Sequence, residues 1–191
     1  VDLRTVPKLD PHELVVCSYV LNELNGLEQF RVLDAAWAAA SRALLVVEPG
    51  TPEGFARIRE MRRWLVEAGA AIAAPCPHDQ QCPMEVPDWC HFAVRVERTR
   101  LHRLAKGGEL GFEDEKFSYV LAVRVPSGSR APRILRHPRV EAGRIQLSLC
   151  GSEGLTSLTV TKRDKVAWRA ARKASWGGAW ESARGDGAQD E

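Results

Sequence analysis

No stretch of this 191-residue chain approaches the 18 or more consecutive apolar residues of a membrane-spanning helix. The longest apolar runs, around Leu14–Leu21 and Ala43–Val47, meet polar residues within a few positions, so no membrane partner is expected. Also missing are an Arg-rich amphipathic presequence and a charged-then-apolar signal peptide. The chain starts at Val1 rather than Met, and it reads as lacking its true N-terminus. There is no internal repeat. Five cysteines are too few for a knottin-like scaffold, and 45% apolar with 27% charged residues excludes collagen and disordered acidic tails. Such a composition suits one substantial domain or two small ones.

What is present begins with charge segregation. Lys and Arg against Asp and Glu number 8 to 13 over residues 1–90, 18 to 8 over 91–173, and 1 to 4 in the tail. The basic middle block hides behind a net charge of only +2 and suggests a polyanion-facing second half, with nucleic acid the usual candidate.

Along the chain, residues 14–21 form a short apolar run suited to a strand buried on both faces. Residues 22–41 read as a helix with Leu24, Leu27, Phe30, Val32, Leu33, Ala36 and Trp37 as its apolar stripe. Residues 43–48 give a second strand closed by Pro49-Gly50. Thr51 then caps a helix carrying Phe55, Ile58, Met61 and Leu65 toward Gly69. This is the α/β rhythm of a parallel sheet. Beyond a Pro- and Cys-rich loop (75–90), strands are predicted at 92–96, 117–125, 133–135, 144–150 and 155–160, and a basic helix at 164–173. The resulting division is 1–98 for an α/β domain with the inserted loop, 99–175 for a basic β-rich domain, and 176–191 for a frayed tail. Asn22, Glu23 and Glu48 stand at strand ends, where doubly wound folds place ligand contacts, although Asn is equally a favoured helix cap. No base, nucleophile and oxyanion donor can be assembled around them, so the catalytic residues are unknown.

The cysteines carry the sharpest signal. Cys76, Cys82 and Cys90 lie in one Pro-rich loop, Cys150 stands far downstream, and Cys17 sits in an apolar strand as a small core residue. Three thiols plus one distant partner supply four soft ligands. The gaps of five and seven residues differ from the Cys-x-x-Cys knuckles of zinc ribbons, and Cys-Pro steps occur in ferredoxin runs. An iron-sulfur cluster is the favoured reading. Zinc, with His78 or His91 joining three cysteines, and unliganded thiols stay open as alternatives.

Several segments together resemble one family: Ser18-Tyr19-Val20-Leu21-Asn22-Glu23-Leu24, Val47-Glu48-Pro49-Gly50-Thr51-Pro52, the cysteine loop through Asp88-Trp89-Cys90-His91-Phe92, Glu113 to Tyr119, and Thr161-Lys162-Arg163-Asp164. It is the methyltransferase-like family associated with the small ribosomal subunit of bacteria and mitochondria, matched in order from about residue 10 to 180. The resemblance implies a Rossmann-like S-adenosylmethionine (SAM) methyltransferase sheet followed by a small β-rich domain. It further implies a [4Fe-4S] cluster on Cys76, Cys82, Cys90 and Cys150 that joins the two halves, and a role in small-subunit assembly. The Gly-rich turn and ribose-binding acid of a SAM site are absent. By that comparison residues 15–21 and 44–48 are the fourth and fifth strands of the sheet, with the first three missing, and this piece is expected to be inactive alone.

The basic residues fall into two groups. Arg95, Arg98, Arg100, His102, Arg103 and Lys106 face either phosphates or the acidic Glu113–Glu115. Lys162, Arg163, Lys165, Arg169, Arg172 and Lys173, with Trp168 among them, have the composition of an RNA-facing element, the alternative being a surface helix whose tryptophans dock on the domain. The expected function is a small-subunit assembly factor binding rRNA, monomeric off the ribosome, in bacterial cytoplasm or alternatively the mitochondrial matrix. Competing readings are a SAM-dependent rRNA methyltransferase in full-length form and a zinc-dependent RNA-binding protein.

Overall fold

The computed structural model describes residue 5 and residues 9–106, 110–126 and 130–181. The chain divides into two compact units, Val1–Ala74 with Met84–Ser127, and Pro75–Pro83 with Gly128–Glu191.

In the first unit, β1 (His12–Ser18) and β2 (Ala40–Pro49) pair in parallel around the crossover helix α1 (Gly26–Ala39). Asn25 starts α1 through a capping box: its side chain accepts from the Glu28 N–H, and the Glu28 carboxylate accepts from the Asn25 N–H. The cap is therefore Asn25 rather than Asn22, which lies in a single 3-10 turn (Leu21–Glu23). Val32, Leu33, Ala36 and Trp37 bury the core side of α1, whereas Leu27, counted in the predicted stripe, is exposed. At the other end, Arg124 lays its guanidinium 3.7 Å from the Trp37 ring centroid and donates to the carbonyls of Trp37 and Ala40, satisfying acceptors that a helix leaves open.

Thr51 caps α2 (Pro52–Glu67), whose Phe55, Ile58, Met61 and Leu65 are buried as the periodicity predicts. Gly54 permits the close fit of its first turn: a Cβ there would lie 2.0 Å from the Pro49 carbonyl oxygen. The helix leads to β3 (Ala71–Ala74). The long strand β5 (Phe112–Val123) then runs antiparallel between β2 and β3, giving the order β1-β2-β5-β3, with β4 (Phe92–Glu97) also paired to β5. Because β5 opposes both neighbours, β1, β2 and β3 all point the same way.

This placement corrects the predicted domain boundary. Residues 99–126 belong with the first unit, not with the basic β domain, because Phe117–Val123 pairs residue by residue with Ala43–Pro49. Val120 and Ala122 are fully buried, and each core side chain of this kind stabilises the unit by about 1 to 3 kcal/mol.

The second unit is an antiparallel sheet. Its central strand β8 (Arg144–Gly151) pairs with β9 (Gly154–Thr161) on one side and with β6 (Arg133–Ile134) and β7 (Arg139–Glu141) on the other. Ile145, Leu147 and Leu149 of β8 alternate into a core with Ile134, Val160, Ala171 and Trp180. A short helix α4 (Lys165–Ala171), capped by Asp164, covers that face through Ala167, Trp168 and Ala170. The predicted frayed tail starts too early: Trp180 is only 6% exposed, its N–H donates to the Pro132 carbonyl, and Ala179 bridges to Arg133. The rest of that tail, 182–191, lies outside the described residues.

Candidate metal centre and basic face

The segment Pro75–Pro83 carries Cys76 and Cys82, and arginines of its own unit hold it. Arg133 Nε donates to the Pro75 carbonyl at 2.9 Å, and Arg130 donates to the Pro77 carbonyl and to Asp79. Cys150 lies near the end of β8, opposite Arg133 and Leu155, on the sheet face away from the Leu149 core. There its Sγ sits 3.8 Å from Nε2 of His78, with both residues buried. Beside the pair a cavity of about 320 Å³ is lined by His78, Gln80, Gln81, Pro83, Ser152 and Glu153. Three of the four predicted thiols thus belong to one unit, in company with a histidine that the sequence offered only as an alternative ligand.

The fourth, Cys90, belongs to the first unit just before β4. Its backbone is well fixed: Ser118 Oγ donates to the Cys90 carbonyl at 2.8 Å, and the neighbouring Trp89 indole donates to the Gly50 carbonyl while its ring stacks on His91. None of the five cysteines is in a disulfide. Among the described residues no group of three or more His, Cys, Asp or Glu side chains is arranged to hold a metal ion. By residue type, the half-buried Cys76 and Cys82 thiols, the buried Cys150 thiol and the buried His78 imidazole of the second unit are donors that iron and zinc accept. Cys17 is 8% exposed on β1; burial first, and then the Glu48 charge, push its thiol up, which makes it a poor ligand and an inert core residue.

The strand-end residues divide. Glu48 is fully buried at the end of β2, where Oε2 accepts from Arg57 Nε at 2.9 Å and Oε1 has no hydrogen-bond partner among the described residues. Asn22 is exposed and bonds only its neighbour Glu23. Tyr19 holds a left-handed backbone (φ 53°), and burial, Glu115 and Glu48 in that order raise its phenol. These groups form no acid-base or nucleophile pair.

The two basic groups separate cleanly. Arg95 clasps Asp114 at 2.8 and 3.1 Å, and Arg98 clasps Glu113 at 3.1 and 2.5 Å, so two of the first group are spent on ion pairs with β5. The second group is not so engaged. Lys162, Arg163, Lys165, Arg169, Arg172 and Lys173 are all exposed, and none pairs with a carboxylate among the described residues. On α4, Lys165, Arg169 and Arg172 fall within an arc of ~60° at ~100° per residue, opposite the Ala167–Ala171 side that meets the core. Trp168 is half-buried against that core, with the Lys162 ammonium 5.8 Å from its ring centroid, so it docks rather than presents a free stacking surface. Trp176 likewise packs edge-on to His137.

An α/β unit with one reversed strand, followed by a thiol-bearing antiparallel β unit with a basic helix, defines the class of protein. Residues 2–181 match the family model described as mitochondrial small ribosomal subunit Rsm22, and the chain belongs to that family. It is 26% identical over 227 residues to the Rsm22-cox11 tandem protein 2, mitochondrial, of Schizosaccharomyces pombe, covering 93% of this chain and 30% of that one. It is 25% identical over 190 residues to the human ribosome assembly protein METTL17, mitochondrial, covering 92% and 40%. The chain therefore spans less than half the length of these relatives.

Proposed function

We infer that this chain acts in assembly of a bacterial-type small ribosomal subunit, gripping rRNA through the basic face of α4 and holding a [4Fe-4S] cluster on Cys76, Cys82, Cys90 and Cys150. The carrying observation is the set of six exposed cations gathered at Lys162–Lys173, none with a carboxylate partner among the described residues. Three of them, Lys165, Arg169 and Arg172, share one face of α4, and exposed cations without a carboxylate partner are what phosphate contact requires. They lie on the α4 side of the second unit's sheet and Cys150 on the other, so RNA contact and thiol ligation need not compete for one surface.

Membership of the family and the human relative's name as a ribosome assembly protein support the assembly role. The sheet order β1-β2-β5-β3, in which only β5 is reversed, supports descent from a Rossmann-like methyltransferase sheet. No methyl-transfer step is assigned to these residues, since they supply neither a Gly-rich turn after a buried strand nor a general base. For the metal, thiolates supply iron with strong soft ligands, and His78 beside Cys150 is placed to tune that sulfur. Bacterial cytoplasm is the compartment proposed; both relatives carry mitochondrial names, which makes the matrix the alternative.

The test is metal analysis on anaerobically purified protein. About four iron and four sulfide per chain are expected, with both lost in Cys82→Ser. Stoichiometric zinc without sulfide would replace the cluster by a zinc site, and failure of the protein to sediment with small subunits would remove the assembly reading.

A further inference from the structure

Within the first unit, β4 and the leading half of β5 project as a two-stranded ribbon. They pair from Phe92↔Phe117 to Glu97↔Phe112, whereas β2 meets β5 only from Phe117 onward. The connection between them carries the seven-residue helix α3 (Arg100–Lys106), and Arg98 N–H to the Gly111 carbonyl closes the ribbon at its far end. Two cations of this arm, Arg95 and Arg98, are held by Asp114 and Glu113. What it exposes is apolar. Val94 and Val96 share one strand face at 50% and 40% exposure, and Leu101 and Leu104, one helical turn apart, stand 79% and 70% exposed. A single helical turn or two with leucines in water gains little by itself, and an apolar patch of this kind marks a contact surface. Arg100 and Arg103 are exposed beside the leucines and make no ion pair among the described residues. Around the helix axis Arg103, Arg100, Leu104 and Leu101 occupy one continuous arc of ~160°.

We propose that this arm docks an acidic, amphipathic segment of a small-subunit protein, whose apolar side chains cover Leu101 and Leu104 and whose carboxylates meet Arg100 and Arg103. The surface pattern selects this occupant: two exposed arginines, with no carboxylate partner among the described residues, lie along one side of an exposed leucine pair, and leucines offer nothing to a phosphate backbone. The proposal rests on the subunit-binding reading above and adds a protein contact separate from the α4 contact with RNA.

Photocrosslinking of the protein bound to purified small subunits tests it, with p-benzoylphenylalanine in place of Leu104 and, in a parallel variant, in place of Arg169. The Leu104 probe is expected to label one subunit protein within an acidic segment, and the Arg169 probe to label rRNA. Leu101→Ser with Leu104→Ser should weaken subunit binding about tenfold without changing its salt dependence, at unaltered melting temperature because both residues are exposed. An rRNA adduct at Leu104, an adduct to a second copy of this chain, or no protein adduct while the Arg169 probe still labels rRNA overturns the proposal. If the unsubstituted protein does not sediment with subunits, the underlying reading falls and the proposal with it.

Discussion

Salt titration of the basic face is the most quantitative consequence of this structure. Each phosphate neutralised on a single strand releases condensed counterions and contributes roughly −0.7 to the slope of log affinity against log salt. If the six cations Lys162, Arg163, Lys165, Arg169, Arg172 and Lys173 all reach phosphates, the slope is about −4, and affinity falls about 300-fold between 50 and 200 mM salt. Replacing Arg163, Arg169 and Arg172 with Gln leaves three contacts, a slope of about −2 and a fall of about 20-fold over the same range. None of the three bonds a carboxylate among the described residues, and Gln is a good helix former, so the fold should be unaffected. Fluorescence anisotropy on labelled small-subunit rRNA fragments at five or so salt concentrations reads both slopes. An unchanged slope in the triple variant would refute the assignment and return the helix to the role of a solvated surface.

Trp168→Ala should lower the unfolding free energy by about 2 kcal/mol in denaturant melts, because the ring is half-buried against the Ile145–Leu149 core; a lower RNA affinity at unchanged stability would instead mean that it stacks on a base. Gly54→Ala should cost about 3 kcal/mol or leave the protein insoluble, since its Cβ would fall 2.0 Å from the Pro49 oxygen; a wild-type melting curve would contradict that close fit. Cys17, buried and with its thiol pushed up by burial and by Glu48, should resist iodoacetamide at pH 8 until the chain unfolds. The same raised value makes the folded state hold its proton longer than the unfolded state, so Cys17 favours folding below the ordinary thiol range and that contribution is lost as pH climbs through it. Rapid labelling of native Cys17, read by mass spectrometry, would show the strand to be open.

How far the sequence reveals the fold depends on which residues do the talking. The run over β2 and the stripe Phe55–Leu65 are legible because both describe burial directly, and Thr51 followed by Pro52 signals a helix start without ambiguity, whereas β1 is not the doubly buried strand its apolar run suggests, since Leu14 and Val16 are half exposed and only Cys17 is buried. The Asn25-x-x-Glu28 spacing of a capping box was there to be read and outweighs the earlier Asn22. β5 is harder. Its early residues, Glu113-Asp114-Glu115-Lys116, have no apolar alternation, and they extend the strand because Arg95 on β4 and Arg98 just beyond it pair with Asp114 and Glu113. That pairing is non-local, so the domain boundary derived from local composition came too early. At the cysteines the residue types announced soft ligation, but the nearness of His78 to Cys150, 72 positions apart, depends on Arg130 and Arg133 holding the loop.

The loop Pro75–Pro83 is grouped with the second unit although 44 residues of the first unit follow it in the chain. Three chain crossings rather than one link the units, and this governs how the protein can be made and cut. A C-terminal piece begun after residue 127 would carry Cys150 yet lack His78, Cys76 and Cys82, and would leave Arg130 and Arg133 without the carbonyls they hold. During synthesis the loop emerges early and waits for β6 and β8, so two of its thiols are exposed to solvent and oxidants until the last third of the chain has been made. A cell producing this protein has reason to shield those thiols while the ribosome is still at work, and an expression strategy for the second unit has to bring residues 75–83 along with it.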